Sequence, residues 1–320
     1  MKRFVKTLAV ILCCMLMGAC VKGRETYDGI EMGNLEEQQV DIMGVKYNLY
    51  KNGYAEIYSI MNPNCVLSDE VSYDGKQYKV VAFREKVALT YSSVFENGAG
   101  YYEAPEVLDL PDNIEEIGSR QLYGCTSKVI RLPENLKYYA GIGGCTNVEE
   151  IEIPASVEEI SMGYLYWNCT NLKKVTFPEN CEYHPGDHVF YDCDALESVK
   201  LPSGLERIGQ NTFRDCDILS DISLGDGVKE IYAEAFYNLP ALTEIVIPDN
   251  VIRLESKAFV DCFALKDIYL SDNLSDVPAS LFRQNNGLED MDVSGITIHV
   301  KESLVDYTKS LYPAANVVAK

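Results

Sequence analysis

Cysteine is the residue type most able to do chemistry in this chain, and its spacing argues for burial instead. Leaving aside those of the first twenty residues, the cysteines are Cys65, Cys125, Cys145, Cys169, Cys181, Cys193, Cys216 and Cys262. An even number in an exported chain suggests disulfides. Yet Cys125, Cys145, Cys169, Cys193, Cys216 and Cys262 occupy one position of a repeat that Leu239 and Asn285 fill elsewhere. A position accepting all three types reads as a small buried column, where cysteine acts as a compact hydrophobe with a weak donor. The alternative is a bond between adjacent coils, such as Cys193–Cys216, whose spacing would allow it. No CxxC occurs to suggest zinc or dithiol exchange.

Other constellations are weaker. His184 and His188 are four residues apart, but Pro185 and Gly186 between them disfavour a metal-binding helix. His299 falls in a presumed last strand. Before the cysteine column stand Gly124, Gly144, Asn168, Asp192, Asp215, Asn238, Asp261 and Gln284. These types tolerate left-handed backbone; calcium on the acidic members is the alternative. Nucleophile-elbow, phosphate-loop and dinucleotide-binding patterns are missing. Neither enzymatic activity nor a cofactor or metal is expected. Trp167, the one tryptophan, sits in a coil one residue too long and is expected to pack beneath the extra residue; an exposed anchor is the alternative.

The leader supplies one covalent site. Lys2, Arg3 and Lys6 make a short positive start, and Phe4 to Met17 is largely apolar, too short for a comfortable membrane span. Gly18-Ala19-Cys20 then resembles a lipobox, which implies cleavage before Cys20 and acylation of its thiol. Losing residues 1–19 would take the formal charge from −21 to −24. That sign excludes phosphate-neutralising nucleic-acid binders and electrostatic docking on an anionic leaflet. Membrane attachment must then come from acyl chains. Secretion across the inner membrane, lipid anchoring and a place in the cell envelope or on the cell surface are expected.

The elements that position these residues form a repeat. Pro111, Pro133, Pro154, Pro178, Pro202, Gly225, Pro248, Ser271 and Ser294 mark one register, at intervals of 22, 21, 24, 24, 23, 23, 23 and 23. Inward positions recur with them: Val199, Leu201, Leu205, Ile208, Phe213, Cys216 and Leu219, then Ile222, Leu224, Val228, Ile231, Phe236, Leu239 and Leu242. One coil cannot bury its apolar side, but stacked coils share a continuous core. Eight to nine coils are expected.

The run Leu-x-x-Ile-x-Ile-Pro, Val-x-x-Ile, Ala-Phe-x-x-Cys, plainest at Ala235-Phe236 and Ala258-Phe259, resembles the BspA-like leucine-rich repeat. The resemblance spans about residues 107–300. It implies an α/β repeat solenoid, coiled right-handed with a parallel sheet on one face. It also implies a surface or secreted protein that adheres or binds ligands. The predicted domains are a signal peptide over 1–19, an acidic tether over 20–38, an N-terminal cap of β-hairpins with a degenerate first coil over 39–106, repeats over 107–294, and a C-terminal cap over 295–320. Asn52-Gly53 suggests a type I′ hairpin turn, and Val71 and Tyr73 before Asp74-Gly75 a second hairpin. Ile296 and Ile298 suggest a last strand, and Ser303 to Tyr312 a short helix.

Alternate strand residues point outward: Asp109, Arg131, Glu152, Thr176, Lys200, Ser223, Val246, Tyr269 and Asp292, accompanied two positions earlier by Glu244, Asp267 and Asp290 among others. The candidate binding residues are Lys200, Glu244, Val246, Asp267, Tyr269 and Asp290. A protein of host or bacterial surface, carrying basic groups, is the expected partner; a glycan is the alternative, and clustered exposed aromatics would favour it. A monomer is expected.

Overall fold

The computed structural model describes residues 35–60, 62, 65–83, 104–119, 121–283 and 291–320. The leader, Cys20, Asp290 and most of the expected degenerate first coil lie outside them. A mixed five-stranded sheet comes first: β1 (Leu35–Ile42), β2 (Val45–Tyr50), β3 (Tyr54–Ile60), β4 (Glu70–Tyr73) and β5 (Lys76–Phe83), in the order β1-β2-β3-β5-β4. The strand β1 takes residues 35–38 out of the expected tether. Glu36 is held there by Lys76 and by the Tyr78 hydroxyl, 2.7 Å away. Asp74 and Gly75 are both left-handed, as a type I′ turn requires. At the other hairpin only Gly53 is (φ +83°), and its N–H closes the turn onto Tyr50 O at 3.0 Å. That turn is therefore a longer loop ending in a left-handed glycine, not type I′.

The solenoid has three sides. Sheet A stacks short rungs, Val107–Asp109, Val129–Arg131, Glu150–Glu152, Lys174–Thr176, Ser198–Lys200, Asp221–Ser223, Glu244–Val246, Asp267–Tyr269, Thr297–Val300 and Asn316–Ala319. Its rungs pair in parallel, as in Val107–Asp109 with Val129–Arg131 and Glu244–Val246 with Asp267–Tyr269. The middle residue of each three-residue rung points in, as at Leu108, Ile151, Ile245 and Ile268. The chain leaves sheet A at the proline position, whose carbonyl accepts from the residue three along: Val251 N to Pro248 O at 2.9 Å, Leu205 N to Pro202 O at 3.2 Å. Gly225 and Ser271 support the same corner, so proline is preferred there and not obligatory.

Sheet B is a side that the alternation did not foretell. Its rungs include Tyr138–Tyr139, Glu159–Ser161, Arg207–Ile208, Glu230–Ile231 and Arg253–Leu254, paired in parallel. The third side is a turn face with no helix. Two left-handed rows flank it: Tyr164, His188, Asn211, Glu234 and Lys257, then Asn168, Asp192, Asp215, Asn238 and Asp261, all with φ between 54° and 62°. These residues turn the peptide units so that alternate N–H groups point to the next coil, as in Phe190 N to Thr212 O (2.7 Å), Phe213 N to Ala235 O (2.8 Å) and Phe236 N to Ala258 O (3.0 Å). The second row is the one whose Gly, Asn and Asp content anticipated this backbone.

Inside, Phe190, Phe213, Phe236 and Phe259 stack with ring centroids 5.5, 5.6 and 5.1 Å apart. Four such rings, each fully buried, contribute roughly 1.5–3 kcal/mol apiece before entropy is subtracted. Tyr312 ends the stack edge-on, 5.4 Å from Phe282 at 81°. Its hydroxyl accepts from Leu281 N at 3.0 Å and donates to Pro278 O.

The C-terminal region continues the solenoid. Thr297–Val300 pairs with Asp267–Tyr269, helix α1 (Val305–Leu311) follows, and Asn316–Ala319 adds a further rung. Among the described residues, the helical share of the expected α/β coil is α1 and the 3₁₀ turn Glu302–Leu304 before it. From Tyr269 to its partner His299 the chain runs 30 residues, seven more than the common period. Ser294 and Asp292 are therefore out of register; the rung expected at 290–292 is formed by 297–299.

Candidate binding faces

The cysteine column is a buried row of free thiols. All described cysteines are free, and the six of the column are buried. Each thiol from Cys145 onward donates to a carbonyl one coil back: Cys145 to Leu122 O (3.2 Å), Cys193 to Tyr166 O (3.2 Å), Cys216 to Phe190 O (3.0 Å), Cys262 to Phe236 O (3.0 Å). Burial pushes Cys169 and Cys262 up to about 12, so at neutral pH they are thiols, not thiolates. The column residue also opens the corner back to sheet A, as in Leu265 N to Cys262 O at 3.1 Å.

The histidines are not brought together. His184 Nε2 faces Glu159 at 3.2 Å on sheet B. His188 stacks on Tyr164 at 4.8 Å and meets Asn211 Nδ2 at 3.1 Å on the turn face. Among the described residues no group of three His, Cys, Asp or Glu is placed to hold a metal. The acidic turn row is engaged internally, with Asn238 Nδ2 on Asp215 Oδ1 at 2.7 Å.

Sheet A places the candidate residues as follows. Lys200 and Glu244 are exposed, Val246 is 54% exposed, and Asp267 and Tyr269 are half-buried. Val246 and Tyr269 are register partners on adjacent rungs, as are Glu244 and Asp267. The next outward residue is His299, which the sequence places only in a presumed last strand. Its ring lies 4.0 Å from that of Tyr269 at 10°, and its Nε2 is 3.0 Å from Asp267 Oδ1. Val318, half-buried, extends the row. The signal for His299 was present in the inward phase of Ile298, but the apparent 23-residue register around Ser294 masked it. Asp290 lies outside the described residues.

On the turn face, Tyr123, Trp167, Tyr191 and Tyr237 occupy the position before the second left-handed row, which Gly143, Arg214 and Val260 hold in other coils. Trp167 is packed, 6% exposed, and stacks on Tyr123 at 6.0 Å. Further along, Arg214 lies over the Tyr237 ring at 4.1 Å and that of Tyr191 at 5.9 Å. Arg214 Nη1 meets Glu234 Oε2 at 2.7 Å, and Lys257 Nζ meets Glu234 Oε1 at 3.6 Å.

Coils of 23 residues with parallel rungs, an aromatic ladder and a proline corner define a leucine-rich-repeat solenoid. The chain belongs to the family described as the BspA type leucine rich repeat region, whose model matches residues 92–187 and 184–311 in six copies. Among solved structures, it is similar to a leucine-rich repeat protein from Bacteroides ovatus, at 20% identity and a TM-score of 0.58 over 82% of this chain and 70% of that one. It also matches a leucine rich cell surface protein from Faecalibacterium prausnitzii, at 18% identity and a TM-score of 0.47 over 89% of this chain and 73% of that one. A leucine rich repeat protein from Treponema pallidum matches at 19% identity and a TM-score of 0.48, over 71% of this chain and 91% of that one. No curated protein matches the sequence.

Proposed function

We propose that this chain is a lipid-anchored envelope protein whose solenoid binds a protein partner through the C-terminal part of sheet A. The supporting observation is the outward row Val246, Tyr269 and His299, flanked by Glu244 and Asp267. An aliphatic and an aromatic group rimmed by charge is the composition of a small interface centre. Neither serves the core, since Ile245 and Ile268 fill the inward positions. The acidic rim suits a partner with basic groups. His299 covers one face of the Tyr269 ring at 4.0 Å and Val246 is its register partner on the adjacent rung, which favours protein over glycan.

The anchoring half of the proposal rests on Cys20 and the leader. The test is capture of partners by the soluble chain without residues 1–20, against host matrix proteins and glycans, with a Val246→Ser, Tyr269→Ser double variant alongside. A captured protein lost with the double variant supports the reading. Equal capture by both forms moves the site off sheet A.

A further inference from the structure

The C-terminal end of the solenoid is finished on two sides and open on the third. Tyr312 closes the turn face by taking the N–H of Leu281, and α1 lays Val305 and Leu311 against the core. Sheet A ends differently. Among the described residues its outermost rung, Asn316–Ala319, pairs on one side only. The N–H groups of Asn316 and Lys320 donate to Ile296 O (2.9 Å) and Val300 O (3.0 Å). The alternate residues Val317 and Ala319 therefore turn their N–H and C=O groups away from the sheet. Natural proteins blunt such edges with bulges, charges or proline. The edge strand β1 is blunted: its register shifts between Leu35 and Glu37 and again between Glu37 and Val40, and Glu36, Glu37 and Asp41 lie along it. Asn316–Ala319 carries none of these devices. It runs in unbroken register with Thr297–Val300 and is uncharged. The neighbouring charge is drawn off it, because Lys320 Nζ lies 3.2 Å from each of Asp249 Oδ1 and Asp272 Oδ1. Over residues 297–320, Lys301, Lys309 and Lys320 stand against Glu302 and Asp306, in a chain of formal charge −21. Two copies of so acidic a protein repel least at this end.

We infer that this edge pairs with the same edge of a second copy of the chain, antiparallel about a two-fold axis. A two-fold contact is self-complementary, and the edge supplies what that requires. With Val317 of one copy opposite Ala319 of the other, both N–H···O bonds form at each such pair and every free group of the edge is used. The same register sets the two Val318 side chains opposite each other at the axis, as an apolar cross-strand pair. Val318 follows His299 in the outward row. The row Val246, Tyr269, His299 and Val318 then runs on into the reversed row of the second copy, and the two A sheets become one surface. Tyr307, 44% exposed on α1, lies at this end and adds to the contact. The sequence alone suggested a monomer; the open edge is visible only once Thr297–Val300 and Asn316–Ala319 are seen as rungs.

The experiment is sedimentation velocity on the chain without residues 1–20, from about 1 to about 200 µM, a range that suits a small interface. A dimer should form within it and nothing larger, because a two-fold contact closes. Ala319→Pro removes an outward N–H and leaves the bonds to Thr297–Val300 in place. It should weaken dimerisation at least tenfold while keeping the melting curve of the parent. Val318→Lys and Val318→Glu each set like charges at the axis and should each be monomeric. An equimolar mixture of these two variants should recover the dimer, which only a register centred on Val318 explains. Four results would each overturn the inference: a parent that stays monomeric, assembly beyond two copies, dimerisation indifferent to Ala319→Pro, or no recovery in the mixture. No ligand enters these measurements, so their outcome is independent of the partner proposed for sheet A.

Discussion

The thiol of Cys262 and the carbonyl of Phe236 lie 3.0 Å apart, one coil from each other. The bond ties the cysteine column to the phenylalanine ladder, because the acceptor belongs to a stacking residue. Where Leu239 holds the column it supplies no donor, so the column tolerates the loss of one such bond. Cys262→Ala should lower unfolding free energy by about 1–3 kcal/mol, by leaving a buried carbonyl unpaired and a small void. Cys262→Ser keeps a donor at the same place and should cost less. Urea denaturation of the three forms checks this; alanine milder than serine would show that packing, not the donor, matters there.

The same column should resist alkylation. Burial raises Cys262 and Cys169 to about 12, so neither accessibility nor thiolate fraction favours reaction. Intact mass after iodoacetamide treatment should show the column thiols modified only in denaturant. A native mass lower by pairs of protons would reveal disulfides between coils.

On sheet A, Val246→Ser should change stability by no more than about 0.5 kcal/mol. Tyr269→Ser should cost about 1 kcal/mol, since it removes the stack on His299. Partner affinity should fall tenfold or more, equivalent to about 1.4 kcal/mol. Paired melting and binding curves separate the two effects.

Anchoring is tested at Cys20. Cys20→Ala should move the protein from the detergent phase to the aqueous phase, or leave it uncleaved, because stable attachment needs more than one acyl chain. A cleaved variant that partitions like the parent would remove the lipid from the account.

His188 gives a pH dependence with a definite sign. Its folded pKa is pushed down to about 4, first by burial, against about 6.5 when unfolded. The unfolded chain therefore takes up the proton first, and stability falls as pH drops from about 6.5 toward 4. The loss is on the order of 3 kcal/mol at most. Melting temperatures of the parent and His188→Gln across that window should converge as pH falls, the parent losing more. Parallel slopes would mean that His188 titrates normally.

Much of this was legible in the sequence because coil periodicity exposes burial. Phe213, Phe236 and Phe259 recur in register, and the Asn, Asp and Gly before the column announced a left-handed backbone. Sheet B was not legible: its two-residue rungs, such as Arg207–Ile208 and Glu230–Ile231, contain one inward residue each and show no alternation. The first left-handed row was hidden because Tyr164, Glu234 and Lys257 are types that carry no such preference. The last coil misled, since Met291, Val293 and Ser294 imitate the pattern seven residues before its true place at Ile298, Val300 and Lys301. His299 was thus separated on paper from Tyr269, which it touches.

The turn face has a direction. Its N–H groups from Gly124 to Phe259 that bond between coils all donate to the coil that follows. The stack is therefore polar, like a row of magnets laid head to tail: one end is left with acceptors and the other with donors. The two ends cannot be finished by the same device. At the C-terminal end the phenol oxygen of Tyr312 takes the N–H of Leu281, standing where the carbonyl of one more coil would be. The tyrosine is thus a chain terminator in the polymer sense. A form lacking it would present a growing end to the acceptor-rich end of another molecule, and would join to it in one orientation only.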